Sequence, residues 1–155
     1  MLFRSAPVVG LAEAAMQEAA QHGRYSIVTG GVLWKVMLER LAHALGLSAS
    51  IASIRPITWT GDRIAADPEG ALKFLAEETQ RAAKEDGAQA VILGGAALAG
   101  LAARVAPAVS IPVIDSVLAG ARAAARLAAA PRPARAATAP TPTDGISPAL
   151  ARLLA

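Results

Sequence analysis

The chain has 155 residues, of which 54% are hydrophobic and only 3% aromatic, so alanine and aliphatic side chains supply most of the apolar content. A domain of this length buries most of the surface that its unfolded chain exposes. The chain contains no cysteine, which excludes a disulfide scaffold, a thiolate metal site and a cysteine nucleophile from its own residues.

The formal net charge of +3 comes from 15 basic and 12 acidic side chains that are scattered along the chain. Nucleic-acid-binding surfaces need clustered lysine and arginine with stacking aromatics, so we expect no nucleic-acid partner. The longest uncharged run, between Asp86 and Arg104, contains Gln89, Gly94, Gly95 and Gly100. It predicts strand, turn and helix, and we expect no membrane association. The N-terminus shows no secretory signal, which favours a cytoplasmic location.

The first part of the chain alternates apolar runs with helical patterns. Residues 7–11 predict a short strand, and residues 12–22 predict a helix that ends at Gly23. Residues 25–31 predict a strand that ends in paired glycines. Residues 32–45 predict an amphipathic helix, whose apolar positions are Leu33, Trp34, Met37, Leu38, Leu41 and Leu45.

The alternation continues after a weaker strand at residues 51–57. Residues 60–62 predict a turn, and Asp67 with Pro68 predicts the start of a helix that ends at Gly87. We expect Leu72, Leu75, Ala76, Thr79 and Ala83 to share one face of that helix. A continuous apolar strand is predicted at 90–95, a helix at about 96–105, a strand at 111–117 and a last helix to about 129.

Strands that alternate with helices through short turns indicate an α/β fold with a parallel sheet and flanking helices. Residues 130–145 are rich in proline, alanine and threonine, which predicts an extended linker. Ser147 and Pro148 then predict the start of a short terminal helix.

Candidate binding residues lie where two predicted strands end, because ligands of open parallel sheets bind beyond the carboxyl ends of the strands. The first set is Thr29, Gly30 and Gly31, and the second is Gly94, Gly95 and Ala96. Exposed amides at such turns favour a carboxylate or phosphate, although the same glycines also suit ordinary tight turns. Asp115 is either the N-cap of the last helix or a site residue. His22 and His43 are isolated and predict no metal site.

Four sequence blocks in order resemble the aspartate/glutamate/hydantoin racemase family: PVVGLAEAAM at 7–16, YSIVTGG at 25–31, EDGAQAVILGGAALAGLA at 85–102 and IPVIDSV at 111–117. The resemblance covers residues 7 to about 129. It implies two similar α/β halves around a small pocket, and racemisation of amino acids or hydantoins without a cofactor.

The resemblance also implies two cysteines, one from each half, that remove and return the α-proton on opposite faces of the substrate. Thr29 and Gly30 match the turn that holds the substrate carboxylate, and Gly95 matches the cysteine of the second half. The first cysteine would precede Pro7. On this basis residues 1–23 are a remnant of the first half, residues 24–129 a racemase-like domain, and residues 130–155 the linker and terminal helix.

We therefore expect a racemase or isomerase scaffold acting on a small carboxylate or hydantoin, without either thiol of the family. It could be the C-terminal part of a longer product. The alternatives are a non-catalytic module that binds a small carboxylate or a protein, and a single-thiol chemistry of the maleate isomerase or arylmalonate decarboxylase type. The sheet edge that a missing half would expose predicts a homodimer.

Overall fold

A four-stranded parallel sheet forms the centre of the structure. The computed structural model describes residues 8–130, together with Gly145 and Ser147. The strands are β1 (Tyr25–Gly30), β2 (Ile51–Ile57), β3 (Ala90–Gly94) and β4 (Val113–Asp115), in the spatial order β2-β1-β3-β4. All three neighbouring pairs are parallel, so the predicted α/β fold with a parallel sheet is confirmed.

Six α-helices of the described residues connect and flank these strands. They are α1 (Leu11–Ala20), α2 (Leu33–Ala44), α3 (Gly61–Ala66), α4 (Pro68–Glu85), α5 (Leu101–Val105) and α6 (Ser116–Ala129). None of the helices among the described residues has the length and apolar character needed to cross a membrane.

The two faces of the sheet carry separate apolar cores. Ile27 and Ile92 point to one face, where they pack with α1, α2 and α6 residues such as Met16. Val28 and Leu93 point to the other, in the cluster that includes residues of α4 and α5. Strands covered on both faces explain the continuous apolar runs in the sequence.

Close contact between α1 and α6 depends on a small residue. A Cβ added at Gly120 would meet Cδ2 of Leu11 and lie 3.5 Å from the Leu11 Cα, so glycine lets the two helices approach. Ala15 and Ala19 of α1 are fully buried. Helix α1 thus packs into the same core cluster as β1, while the proposed domain boundary at residue 23 stays a prediction.

An ion-pair cluster attaches the end of α4 to the edge strand β2. Arg55 Nε donates to Asp86 Oδ2 at 2.6 Å, and Arg55 Nη2 lies 2.8 Å from Glu85 Oε2. Ser53 Oγ also donates to Asp86 Oδ2 at 2.5 Å. The Arg55 guanidinium holds the pKa of Asp86 below its ordinary value, against the opposing effect of burial. The carboxylate is therefore charged in the folded chain at neutral pH.

Four predicted elements are wrong in detail. The strand predicted at 111–117 is only Val113–Asp115, because Ser116 begins α6. Residues 8–10 form no strand, and Leu11 already begins α1. The predicted turn at 60–62 is the start of α3, which begins at Gly61. The predicted helix at 96–105 is split into a 3-10 turn, Ala96–Leu98, and the short helix α5. Gly100 separates them with a φ of +80° that interrupts a right-handed helix.

Other local predictions are confirmed. Asp67 caps α4, since its Oδ1 accepts the Gly70 N–H at 2.9 Å, and Pro68 is the first helical residue. Leu75 and Thr79 are buried on the predicted face of α4, which ends before Gly87. The predicted linker and terminal helix lie outside the described residues, apart from Gly145, Ser147 and residue 130.

Candidate functional site

The carboxyl ends of β1 and β3 meet at the centre of the sheet. Thr29 and Gly94 are register partners on these adjacent strands. The strand order reverses between β1 and β3, since β2 follows β1 on one side and β4 follows β3 on the other. Crevices at such a reversal are the usual ligand sites of open parallel sheets.

A cavity of about 490 Å³ opens at this point. Its volume falls within the range of about 300–1,000 Å³ that is usual for small-molecule sites. The floor contains the strand ends with Thr29 and Gly94, together with Ser116, the first residue of α6. The walls come from α1, α2, α3 and the loops after β2 and β3. The lining residues are Leu11, Ala12, Met16, Ile27, Thr29, Gly30, Trp34, Leu38, Ile57, Trp59, Ile64, Ile92, Gly94, Gly95, Ala96, Ala97, Leu98 and Ser116.

Uncharged groups make up the whole lining of this cavity among the described residues. Its two hydroxyl groups belong to Thr29 and Ser116, which are 5% and 3% exposed, and the indole N–H groups of Trp34 and Trp59 are further neutral donors. The backbone at Gly94 and Gly95 adds amide groups to the same floor. The described residues contain no cluster of histidine, aspartate and glutamate side chains that could hold a metal ion. The site can thus offer hydrogen bonds from neutral groups, which suit a neutral carbonyl or imide better than a charged group.

Gly95 has a backbone conformation that other residues rarely adopt. Its φ is +121° and its ψ is 148°, in a region that is essentially restricted to glycine. A Cβ added there would meet no atom within 4 Å. The backbone, rather than crowding, thus requires glycine at the position that matches the second cysteine of the resembled family.

Two consecutive residues hold both ends of the loop after β3. Ser116 Oγ accepts the Gly95 N–H at 3.3 Å, and Asp115 Oδ2 accepts the Gly100 N–H at 2.5 Å. Asp115 Oδ1 also accepts the N–H groups of Val117 and Leu118, at 2.9 and 3.1 Å. Asp115 is therefore the N-cap of α6 and positions the loop, and it does not line the cavity.

Two tryptophans line the cavity: Trp34 belongs to α2, and Trp59 lies in the loop after β2. Trp34 is 51% exposed. Trp59 is stacked on Phe74, with ring centroids 5.7 Å apart, and the Arg63 guanidinium lies 4.2 Å from its ring centroid. These contacts restrict the Trp59 ring, while Trp34 retains more freedom.

Five of the six residues predicted as binding residues line this cavity: Thr29, Gly30, Gly94, Gly95 and Ala96. Gly31 does not line it. Its N–H donates to the Ile57 carbonyl at 3.3 Å, and its φ is +82°, so its place is in the turn after β1.

Sequence reasoning missed Ser116 and the apolar walls. Ser116 and Trp59 could have been found by applying the strand-end rule to β4 and β2 as well, since each follows the end of its strand. Trp34, Met16 and Leu38 belong to helices, and their periodic pattern gives no signal that distinguishes a cavity wall from a core position.

The family model described as Asp/Glu/Hydantoin racemase matches residues 3–124. With most of the chain matched, the chain belongs to this family, as its four sequence blocks predicted.

Named relatives and solved structures agree with this family assignment. A hydantoin racemase of Pseudomonas sp. (strain NS671) is 36% identical over 115 residues, which are 74% of this chain and 46% of that protein. A hydantoin racemase of Rhizobium meliloti is 33% identical over 78% of this chain and 51% of that protein. The crystal structure of allantoin racemase from Pseudomonas fluorescens superposes with a TM-score of 0.74 at 28% identity, over 85% of this chain and 62% of that one. Allantoin racemase from Klebsiella pneumoniae gives a TM-score of 0.73 at 33% identity, over 79% of this chain and 51% of that one. The chain thus spans about half the length of the curated relatives it matches.

Proposed function

We propose that the cavity binds the ring of a hydantoin-type substrate, and that the chain provides this ring-binding part of a racemase-like protein. The observation that carries the proposal is the cavity's polar floor, which combines the Thr29 and Ser116 hydroxyls with the backbone at Gly94 and Gly95. A hydantoin ring presents neutral carbonyl and N–H groups, which such a floor can match. The hydantoin racemases among the relatives support the same ligand class.

The ring-binding role follows from the chemistry of racemisation. Removal of the α-proton leaves an electron pair that delocalises into the neighbouring carbonyl, and a proton must return on the opposite face to invert the centre. Neutral hydrogen-bond donors directed at that carbonyl oxygen stabilise its developing charge. We assign this role to Thr29 and Ser116, because their hydroxyls line the floor. No lining side chain has an ordinary pKa near neutrality, so the proton-transfer groups of a racemase would come from outside these lining residues.

A second candidate is a non-catalytic module that binds the same small ligands. The conformation of Gly95 favours it, because a cysteine at this position would need a φ of +121°, which side-chain-bearing residues rarely adopt. The uncharged lining favours a neutral ring over a dicarboxylate for this candidate too. Cofactor independence, a cytoplasmic location and a homodimer also stay predictions, and light scattering tests the last.

Two measurements on the full chain test these proposals. Calorimetry with hydantoin reports binding, and NMR in deuterated water at neutral pH reports exchange of the α-proton of a 5-substituted hydantoin against a protein-free control. Binding with exchange supports the racemase-like function, and binding without exchange supports the non-catalytic module.

Thr29→Val keeps the shape of the side chain but removes its hydroxyl. Loss of one hydrogen bond should weaken hydantoin binding by about five- to tenfold. Ser110→Ala, which removes an exposed hydroxyl away from this cavity, is the matched control. Absence of hydantoin binding to the unmodified chain would refute both candidates, and an unchanged affinity in Thr29→Val would remove Thr29 from the site.

A further inference from the structure

The outer face of α2 is apolar although it faces solvent. Leu33, Val36 and Met37 are spaced by three and four residues, so they share one face of the helix. Together with Val32 they are between 50% and 81% exposed. Leu38 lies on the opposite face and is buried. The first turns of α2 are thus apolar on both sides, which is typical of a helix that is covered on both sides.

The start of α2 also lacks the usual local stabilisation. Its N-cap residue, Val32, makes no side-chain hydrogen bond to the helix, and its first turn holds no acidic residue. A helix end without a cap or a nearby carboxylate is weakly held by its own sequence. A layer packed on the outer face would stabilise these turns, whose inner face supplies Trp34 and Leu38 to the cavity wall.

The C-terminal end of the same chain carries a matching apolar pattern. The helix that the sequence predicts after Ser147 places Leu150, Leu153 and Leu154 on one side, at spacings of three and four residues. Arg152 falls on the other side, so the predicted helix is amphipathic. A helix of about two turns is too short to be stable alone in water. This segment therefore needs an apolar surface on which to fold.

We propose that residues 146–155 dock as an amphipathic helix on the outer face of α2 in the same molecule. Apart from Ser147 this segment lies outside the described residues, and its helix is predicted from the sequence. Both partners present three apolar side chains spaced by three and four residues, a pattern that suits the packing of two helices. Docking restrains the first turns of α2, whichever ligand the cavity takes.

The linker before this segment is long enough for the contact. Helix α6 begins with Ser116 at the cavity and ends at Ala129, and α1 contacts both α6 and α2. From Ala129 the chain must therefore return along one helix length and cross two helix spacings, a path of about 30 Å. Residues 131–145 span about 45 Å in the extended form that proline-rich chains adopt. The linker thus reaches α2, and it keeps the segment at a high effective concentration.

The size of the outer face favours this segment over a second copy of the chain. The exposed fractions of Val32, Leu33, Val36 and Met37 correspond to roughly 400 Å² of apolar surface. A stable dimer buries about 800 Å² on each partner, which is about twice that amount. The outer face of α2 is therefore small for a dimer interface and suits one short helix.

Disulfide trapping in the full chain tests the contact, since the chain has no cysteine of its own. Under mild oxidation the pair Met37→Cys and Leu153→Cys should form an intramolecular disulfide at least about tenfold faster than the pair Leu127→Cys and Leu153→Cys. Leu127 is a matched control, because it is also an exposed apolar residue of a helix. It also lies much closer to the C-terminus along the chain, so a segment without a preferred site would react faster there.

Two further variants connect the trapping to the apolar contact. Adding Leu33→Asp to the Met37→Cys pair should reduce its rate to that of the control pair, because a carboxylate would lose water in an apolar interface. Adding Arg152→Ala should leave the rate unchanged within about twofold, since Arg152 is on the polar side of the segment. Without added cysteines, Leu153→Asp should speed amide hydrogen exchange in the first turns of α2 by at least about fivefold and leave α4 unchanged.

Each other result would overturn the docking. Equal rates for the two cysteine pairs, or no disulfide at position 37, would mean that the segment has no preferred site on α2. Covalent dimers from the Met37→Cys pair, identified by their doubled mass, would assign the outer face to a second copy of the chain. Unchanged exchange of the α2 amides in Leu153→Asp would show that the segment does not cover these turns.

Discussion

Replacing Gly95 by alanine tests whether backbone conformation, rather than space, requires glycine at the cavity floor. The added Cβ would meet no atom within 4 Å, yet the residue has a φ of +121°. A side-chain-bearing residue in this region costs about 1–3 kcal/mol. Alanine also lowers the conformational entropy of the unfolded chain, which stabilises the folded chain by about 0.4–1 kcal/mol. The net expectation is a loss of about 1–2 kcal/mol in the free energy of unfolding.

Gly30→Ala is a matched control, since Gly30 lines the same cavity and also has no atom within 4 Å of an added Cβ. Its φ is not positive, so alanine there should be neutral or stabilising by about 0.5 kcal/mol. Urea unfolding followed by circular dichroism measures both variants. In thermal unfolding, Gly95→Ala should lower Tm by about 3–6 °C.

Equal stability of the two variants would refute this reasoning, because they differ in backbone conformation and not in available space. A Gly95→Ala chain as stable as the unmodified one would mean that the loop after β3 relaxes to an ordinary φ at little cost. The hydrogen bond from the Gly95 N–H to Ser116 would then contribute little to the position of the loop.

Two further predictions concern polar groups away from the cavity, the half-buried Asp86 and the buried Tyr25. Asp86→Asn should lower the free energy of unfolding by about 2 kcal/mol at neutral pH, since it removes one charged partner of Arg55. Because the folded-state pKa of Asp86 lies below its ordinary value of 3.8, the stabilisation is present above that value. It is lost as the pH falls through the folded-state pKa, so urea unfolding of both proteins should show a shrinking difference on acidification; a constant difference down to pH 3 would contradict it. The hydroxyl of Tyr25 is buried without a hydrogen-bond partner, and burial raises its pKa to about 12. Tyr25→Phe should therefore be neutral or stabilising by up to about 1 kcal/mol in the same assay, and a loss above about 1 kcal/mol would show that the hydroxyl has a partner in solution.

Local signals in the sequence predicted most elements of the sheet. The β2 prediction at residues 51–57 agrees with Ile51–Ile57, and the Asp67–Pro68 pair marked the start of α4. These predictions succeed because an apolar run or a capping residue influences only the local structure within a few positions along the chain. The strand-end rule also selected Thr29 and Gly94 from the sequence alone.

The amphipathic pattern of α2 predicted the helix itself but not which of its apolar side chains are buried. Leu38 is buried as the pattern predicts, whereas Leu33 and Met37 on the same helix are 81% and 56% exposed. Periodicity identifies an apolar stripe. Which turns of that stripe reach the core depends on where the helix lies over the sheet.

The sequence by itself determined the alternation of strands and helices, the parallel sheet and the family, because each depends on short-range patterns or on ordered blocks of residues. Only the tertiary structure decided which residues from distant parts of the chain become neighbours. Pairing of β1 with β3 brings Thr29 beside Gly94, although 65 positions separate them. Trp34 and Trp59 meet at one cavity, and Asp115 holds Gly100, through packing that no local pattern encodes. Those contacts turn two glycine-containing turns into one cavity with a polar floor and an apolar wall.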